Sequence, residues 1–356
     1  ANAIERFEAK YPGWTVEHIQ PGGYDDVKTK ITNDLQGQLQ PDLAYCYADH
    51  VAAYLPSEQV IDMLPYINST DKVEGVNPDA EVEEGAEAEK VEYTIGYSAE
   101  ELADFVPGFY AEGKAPNYSG YAKYGFTAES MLTLPFVKST ELLYYNASAL
   151  DKLGLSVPKT WDELWAQAPK IKQHYKKATV LGYDSEANWF ITMCQQNGWG
   201  YTSADDSQHF LFNQNNAELK SWLGTLNKYW EDGWLTTQED YGAYTSALFT
   251  KGVENDAGGA VYCIGSSGGA SHQASDKFTA KIAPIPGTKK ADGTIDSSVI
   301  SQGPSLVMFK AGHDVANADE KAIMTFMFIK ELLDPYFQAS FSIAAGYNPC
   351  RESVYD

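Results

Sequence analysis

The chain has 356 residues, 44% hydrophobic and 21% charged, which is enough for two lobes with separate cores. Its 49 acidic and 26 basic residues give a formal net charge of −23. This charge argues against nucleic acid as a partner, because neutralising phosphates requires clustered Lys and Arg. The sequence contains no run of about 18 consecutive apolar residues, so it predicts no membrane-spanning helix.

The first part of the chain alternates strand and helix patterns. The stretch "WTVEHI" (14–19) predicts a strand. In the helical stretch that follows, Val27, Ile31 and Leu35 recur at i, i+4 and i+8. The stretch "PDLAYCY" (41–47) predicts a second strand. Such alternation favours a parallel sheet with helices on its faces.

Ligands of parallel α/β sheets bind beyond the carboxyl ends of the strands. Tyr47, Asp49 and His50 follow "PDLAYC" directly and are therefore candidate ligand contacts. Asp49 has an alternative interpretation as a plain helix N-cap for "HVAAYL". A lone histidine such as His50 is also commonly structural.

Residues 68–133 are polar and rich in Gly, Pro and acids. The pattern predicts a surface embellishment of the first lobe, with one helical stretch, "SAEELADFVPGFYAEG". Within it, the acidic run "DAEVEEGAEAEKVE" (79–92) is typical of a solvated insertion.

The second half of the chain is rich in predicted helices. Thr160 is expected to cap a helix, with Glu163 reaching back to its amide. Asn317 is expected to cap a later helix. The apolar residues of "NNAELKSWLGTLNKYWEDGW" have helical spacing and predict core packing for Leu219, Leu223, Leu226 and Trp230.

The four cysteines, Cys46, Cys194, Cys263 and Cys350, lie far apart with no CxxC pair, so no zinc site is expected. Cys46 and Cys263 lie in apolar strand-like runs and are expected to be buried. The sequence has no P-loop, G-x-G-x-x-G, H-E-x-x-H or EF-hand motif. We therefore expect neither a cofactor nor a metal.

The stretch "GSSGG" (265–269) matches G-x-S-x-G after a predicted strand. A serine hydrolase would need an acid and a histidine after it, for which Asp276 and His313 are the available pair. The alternative interpretation is a tight turn whose backbone approaches a ligand closely, as glycine permits.

Aromatic residues are numerous, with 8 Trp and 24 Tyr. Those in polar surroundings are Tyr24, Tyr47, Trp189, Trp199, Tyr241, Tyr244 and Tyr347. Rigid rings with a polar edge suit pyranose sugars, which have both apolar and hydroxyl surfaces. Together these residues favour a sugar site.

Several stretches, taken in order, resemble the extracellular solute-binding proteins of ABC transporters, carbohydrate type, similar to maltose-binding proteins. They are "IERFEAKYPGWTVE", "QPDLAYCYADH", "LPFVKSTELLYYNASALDKLGLSVPKTWDELW", "FTKGVENDAGGAVYCIGSS" and "GYNPCRES". The resemblance covers nearly the full chain, and its most specific part is 134–165.

The resemblance implies an α/β, two-lobe periplasmic-binding-protein-like fold with hinge strands and a central ligand cleft. It predicts an N-terminal lobe of residues 1–135 and 300–345, and a C-terminal lobe of residues 136–299 and 346–356. The helix beginning at Thr160 would then fix one end of a hinge crossing.

The resemblance also suggests ligand contacts. Positions carried over from the family motifs are Asp49, Ser139, Trp189, Gly265, Ser266 and Ser267. The family frequently places a tryptophan in the turn that Gly265 begins, and this chain has none there. Stacking is then expected from Trp189 or Tyr244. Tyr47, His50 and Tyr347 are candidates by adjacency.

The function implied is a non-enzymatic receptor that captures a neutral mono- or oligosaccharide for the membrane permease of an ABC importer. We expect a monomer outside the cytoplasm, extracellular or periplasmic and membrane-tethered, in a mature or trimmed form. The alternatives are a secreted glycosidase and a receptor for a non-sugar solute such as a polyol phosphate, a peptide or a cation.

Overall fold

A computed structural model describes residues 2–80, 88–117, 119–202, 216–312 and 316–355. Its helices are α1 Ala3–Lys10, α2 Tyr24–Gly37, α3 Val51–Tyr54, α4 Leu64–Ile67, α5 Ala99–Ala103, α6 Pro107–Ala111, α7 Ser119–Ala122, α8 Ala147–Leu153, α9 Trp161–His174, α10 Glu186–Asn197, α11 Ala217–Glu231, α12 Gln238–Tyr241, α13 Ser246–Phe249, α14 Ala318–Leu332 and α15 Pro335–Ala345. Its strands are β1 Leu43–Cys46, β2 Lys72–Val76, β3 Lys90–Thr94, β4 Leu134–Pro135, β5 Val137–Asn146, β6 Thr179–Tyr183, β7 Leu235–Thr237, β8 Ala260–Ser266, β9 Ala280–Pro284, β10 Thr288–Lys289, β11 Ile295–Asp296, β12 Ser301–Gln302, β13 Ser305–Met308 and β14 Asn348–Pro349.

The chain forms two compact units. Unit 1 comprises Ala1–Lys138 and Gly303–Asp356, and unit 2 comprises Ser139–Gln302. The predicted division placed the first two boundaries after residues 135 and 299, three residues before those observed, and it assigned residues 346–356 to the second lobe. In the structure these residues belong to unit 1.

The physical reason for this correction is the set of bonds made by the C-terminal segment. The Arg351 side chain donates to the carbonyl oxygens of Leu333 and Glu101, both in unit 1. Its guanidinium lies 3.6 Å from the Phe105 ring centroid. A buried guanidinium satisfied in this way fixes the segment to the unit that supplies its partners.

The sheet of unit 1 is antiparallel, with strand order β1-β13-β4. The prediction of a parallel sheet in this part of the chain, made from the alternation of strands and helices, is therefore wrong. The expected strand at 14–19 also does not form: the Val16 amide donates to the Glu8 side chain, and Ile19 is exposed. An extended stretch with no neighbouring strand to pair with gains no ladder hydrogen bonds.

The predicted embellishment at 68–133 contributes to the core of unit 1 and is more than a surface insertion. Ile95, Phe105 and Met131 are buried in one hydrophobic cluster, and Tyr121 and Leu132 are buried in a second. Strands β2 and β3 form an antiparallel hairpin on this part of the chain. Part of the acidic run lies outside the described residues.

Unit 2 is built around a mixed sheet with strand order β12-β5-β8-β6-β7, in which β9 also pairs with β5. Strand β6 is parallel to both β7 and β8, whereas β5 is antiparallel to β8 and β9. The carboxyl ends of β6, β7 and β8 therefore lie at one edge of this sheet. We call it the carboxyl edge of unit 2.

The helices of unit 2 follow the sequence pattern with two corrections. The Thr160 hydroxyl accepts a hydrogen bond from the Glu163 amide, as predicted, but the Glu163 carboxylate bonds the Lys159 amide instead of that of Thr160. On α11 only Leu219 is buried, while Leu223 and Trp230 are about half exposed. Helical spacing marks an apolar face but does not show what covers it.

Three further points concern the described residues. The predicted cap at Asn317 makes no side-chain hydrogen bond to α14. All four cysteines are free and buried, which confirms the prediction for Cys46 and Cys263. Within the described ranges, no helix combines the length and apolarity that a membrane crossing needs.

Candidate functional site

The carboxyl edge of unit 2 begins with the turn that follows β8. Ser266 ends the strand, and its hydroxyl accepts from the Gly268 amide to start a short 3-10 turn, Ser267–Gln273. Strand β5 is bonded to this turn at two points. The Thr140 amide donates to Ser267 Oγ at 3.1 Å, and the Tyr144 hydroxyl donates to the Ser266 carbonyl at 2.9 Å. The turn is therefore rigidly placed.

Ser139 lies beside this turn on strand β5, where it pairs with Gln302 of β12. It is buried. The next residue, Thr140, donates its hydroxyl to the Ile300 carbonyl at 3.0 Å. Ser139 is thus the first unit 2 residue of a well-bonded crossing strand, and its contact with a ligand stays a prediction.

Asp184 follows β6 at the same edge. Its Oδ1 accepts hydrogen bonds from the amide and the hydroxyl of Thr245, at 2.6 and 2.7 Å. A Cβ on Gly265 would lie 2.5 Å from Asp184 Oδ2, so this close approach requires glycine. Burial raises the pKa of Asp184, although the Thr245 hydrogen bonds oppose the shift.

Glu141 lies one step deeper, on β5 opposite Ser266. Only 2% of it is exposed. Its Oε2 accepts from the Tyr183 hydroxyl, and its Oε1 accepts from Asn188 Nδ2 at 3.1 Å. Burial raises the pKa of Glu141 to about 7, and these two hydrogen bonds oppose the shift.

The two aromatic residues expected to stack on a ligand in unit 2 have opposite environments. Trp189 is 3% exposed and its ring stacks on Tyr183 at 4.6 Å, with Trp161 at 5.6 Å. Its faces are occupied by core neighbours, so it is not placed as a platform. Tyr244 is 64% exposed and immediately precedes Thr245, which binds Asp184.

Unit 1 brings several aromatic side chains together beyond the end of β1. The rings of Tyr24 and Tyr47 stack at 4.3 Å, and Tyr24 meets Tyr45 edge-on at 5.8 Å. Burial is the main cause that raises the pKa of Tyr24, and the nearby phenols of Tyr347 and Tyr47 raise it further. We call Tyr24, Tyr45, Tyr47 and Tyr347 the tyrosine cluster.

His50 and Asp49 lie beside the tyrosine cluster. The His50 ring is 5.2 Å from that of Tyr47, and burial lowers the pKa of His50. Asp49 is exposed within a 3-10 turn, Ala48–His50, and supplies no side-chain cap to α3. The helix-cap interpretation of Asp49 is therefore wrong, and its carboxylate is open to solvent.

The structure thus groups Ser139, Gly265, Ser266, Ser267 and Tyr244 in unit 2, and Tyr47, Asp49, His50 and Tyr347 in unit 1. Sequence reasoning missed Asp184 and Glu141. The rule that selected residues after "PDLAYC" would also have selected Asp184, which directly follows the strand "TVLGY". Glu141 gave no such signal, because its burial depends on neighbours distant in sequence.

Chemically, both groups offer hydroxyl and carboxyl acceptors beside aromatic rings. Strand β5 carries one basic residue, Lys138, whose ammonium is buried against Glu112 at 2.7 Å and Ser305 Oγ at 3.1 Å. Among the described residues, no three His, Cys, Asp or Glu side chains are grouped to hold a metal ion. His313, the histidine required by the hydrolase interpretation, lies outside the described residues.

Solved structures with this fold are two-lobe binding proteins. UgpB from Mycobacterium tuberculosis in complex with glycerophosphocholine has a TM-score of 0.70 at 19% identity, covering 99% of this chain and 78% of that one. Maltose-bound T. maritima MalE3 has a TM-score of 0.67 at 19% identity, with the same coverage. The fold is therefore that of the two-lobe periplasmic binding proteins, as the resemblance implied.

The family profile described as bacterial extracellular solute-binding protein matches residues 2–356, and the chain belongs to this family. Curated relatives match over shorter stretches. The sn-glycerol-3-phosphate-binding periplasmic protein UgpB of Rhizobium meliloti is 48% identical over 46 residues, which is 12% of this chain and 11% of that protein. UgpB of Escherichia coli K12 is 37% identical over 87 residues, 24% and 19% of the two chains. These matches thus span less than a fifth of the relatives' length.

Proposed function

We propose that the protein is the substrate-binding receptor of an ABC importer and captures a neutral mono- or oligosaccharide. The observation that carries the ligand class is the chemistry of the carboxyl edge of unit 2. There Asp184 presents a carboxyl acceptor, and the buried Glu141 carboxyl holds Tyr183 and Asn188 beneath it. Lys138, the basic residue of β5, is bound within unit 1. A ligand rich in hydroxyl donors and free of negative charge fits such a surface.

The tyrosine cluster supports the same ligand class from unit 1. Stacked phenol rings offer apolar faces with hydroxyl edges, the combination that suits a pyranose ring. The partner would be a membrane permease, with the receptor acting as a monomer. A tether on the outer face of the membrane would keep the receptor close to that permease.

A glycerol phosphodiester or glycerol phosphate is the second candidate ligand. The specific observation in its favour is the 37% identity to UgpB over 87 residues. This ligand would need cationic or amide donors for its phosphate, in contrast to the acceptors at the carboxyl edge.

Thermal unfolding with and without ligands tests the proposal. A ligand at 100 times its Kd that binds only the folded state stabilises it by about 2.7 kcal/mol. We expect one neutral oligosaccharide to raise the Tm, with the sugar recovered intact from the sample. Stabilisation by glycerophosphocholine alone would replace the proposed ligand, and release of shorter sugars would favour the secreted glycosidase.

A further inference from the structure

Helix α10 begins at the carboxyl edge of unit 2, and this position bears on which ligands the edge accepts. Free amides at a helix N-terminus, together with the helix dipole, ordinarily favour phosphate. In this chain the Ser185 hydroxyl accepts from the Asn188 amide, and the Asn188 side chain donates to Glu141. Glu186 adds a carboxylate in the first turn. The protein's own side chains therefore already provide the hydrogen-bond acceptors and the negative charge that a bound phosphate would bring to this helix N-terminus.

The carboxyl of Asp184 adds negative charge beside those of Glu141 and Glu186. Burial is the main cause that raises the pKa of both Glu141 and Asp184; the charge of Asp184 adds to the first shift and the charge of Glu186 adds to the second. Negative charge on these carboxyls disfavours the binding of a further anion at the same edge.

A second observation concerns Gln273, which is buried beside Gly265. Its Oε1 has no hydrogen-bond partner among the described residues. A Cβ on Gly265 would lie 3.4 Å from Gln273 Nε2 and 2.5 Å from Asp184 Oδ2. Gln273 and Asp184 are therefore both adjacent to Gly265. An unpaired buried acceptor beside a carboxylate favours a hydrogen-bond donor at this place.

We propose that Asp184 and Glu141 determine the specificity of unit 2: Asp184 accepts hydrogen bonds from ligand hydroxyls, and the carboxyl pair rejects phosphate-bearing ligands. Asp184 acts by direct contact, whereas Glu141 is a positioning residue that holds Asn188 and Tyr183. The inference rests on the proposed function and names the residues that would separate a neutral polyol from a glycerol phosphate.

The test is calorimetric titration at about pH 8, above the pKa of about 7 to which burial raises Glu141, with sn-glycerol 3-phosphate and maltotriose as probes. The proteins are wild type, Asp184→Asn and the double variant Glu141→Gln/Asp184→Asn. Asn retains an oxygen for the Thr245 hydrogen bonds, so Asp184→Asn should fold. The matched control is Asp151→Asn, which removes an exposed carboxyl from α8, at the opposite end of β5.

We expect the double variant to bind sn-glycerol 3-phosphate about tenfold or more tightly than wild type and the control, with a smaller gain for Asp184→Asn. Equal or tighter binding of this anion by wild type would overturn the inference. If the double variant does not fold, the single variant decides by the same comparison.

Titration with maltotriose distinguishes failure of the contact assigned to Asp184 from failure of the proposed sugar-binding function. Asp184→Asn should weaken maltotriose binding about tenfold relative to the control, because a hydrogen bond to a charged acceptor is lost. Unchanged maltotriose affinity would overturn the contact assigned to Asp184. If wild type binds no neutral sugar, the proposed function fails, and the phosphate comparison still decides whether the carboxyl pair excludes anions.

Discussion

Replacing Glu141 by Gln should change how the stability of unit 2 depends on pH. The carboxyl is buried, and its pKa is raised from 4.5 to about 7. The pKa of Glu141 is higher in the folded state than in the unfolded state. Protonated Glu141 therefore contributes its full stabilisation below about pH 4.5, and this contribution is lost as the pH rises through 7. One pKa unit corresponds to about 1.4 kcal/mol, so ionising Glu141 in the folded state costs about 3 kcal/mol. Gln keeps the size without the charge; its oxygen can accept from Asn188, and its NH2 can donate to the Tyr183 hydroxyl.

We therefore expect the unfolding free energy of Glu141→Gln, relative to wild type, to rise by about 3 kcal/mol between pH 4.5 and 8, with roughly half of this rise present by pH 5.5 to 6. Urea unfolding at each pH, followed by tryptophan fluorescence, measures this difference. Trp189 stacks on Tyr183 beside Glu141, so the signal reports on the correct unit. A difference that stays constant over this range would refute the reasoning.

The companion variant Tyr183→Phe provides a second check on the same group. It removes the phenol that donates to Glu141 and keeps the aromatic ring. The hydrogen bond opposes the rise in the pKa of Glu141, so its loss should move the pH dependence to higher pH. A shift to lower pH would show that the phenol does not stabilise the carboxylate.

Three further predictions concern single positions, each measured as an unfolding free energy in denaturant. Thr160→Ala should cost about 1 kcal/mol and Thr160→Ser much less, because the hydroxyl caps α9; equal losses would contradict this. Gly303→Ala should cost about 2 kcal/mol more than Gly293→Ala, since both have positive φ but only the Gly303 Cβ would meet the Val137 oxygen, at 2.4 Å. Tyr24→Ala should destabilise unit 1 by about 1 kcal/mol or more through the lost stacking on Tyr47 in the tyrosine cluster, and a neutral result would show that stack to be unimportant.

Much of the fold was predictable because it depends on local signals. The helix of Val27, Ile31 and Leu35 forms as its spacing predicted, and all three residues are buried. The Thr160 cap likewise follows from adjacent residues. By contrast, the exposure of Leu223 on α11 was not predictable, because periodicity does not identify the neighbouring element.

The candidate site was predicted in part. Residues that directly follow a strand could be selected from the sequence, as Tyr47 was, whereas Ser266 was selected from the family resemblance. Trp189 was expected to be a stacking platform from the family resemblance and its polar surroundings, yet Tyr183 and Trp161 cover its ring. Which face of an aromatic side chain stays open is decided by packing, so the sequence could not separate Trp189 from the exposed Tyr244.

By itself, the sequence determined several helices such as α2 and α9, the Thr160 cap and the family resemblance, because these depend on residues close together in the chain or on long ordered motifs. Only the tertiary structure decided the electrostatics of the carboxyl edge. Glu141 meets Tyr183 and Asn188 from 42 and 47 residues away. Its pKa depends on how completely those neighbours exclude water from the carboxyl group, and this exclusion exists only after strand β5, strand β6 and helix α10 have packed together.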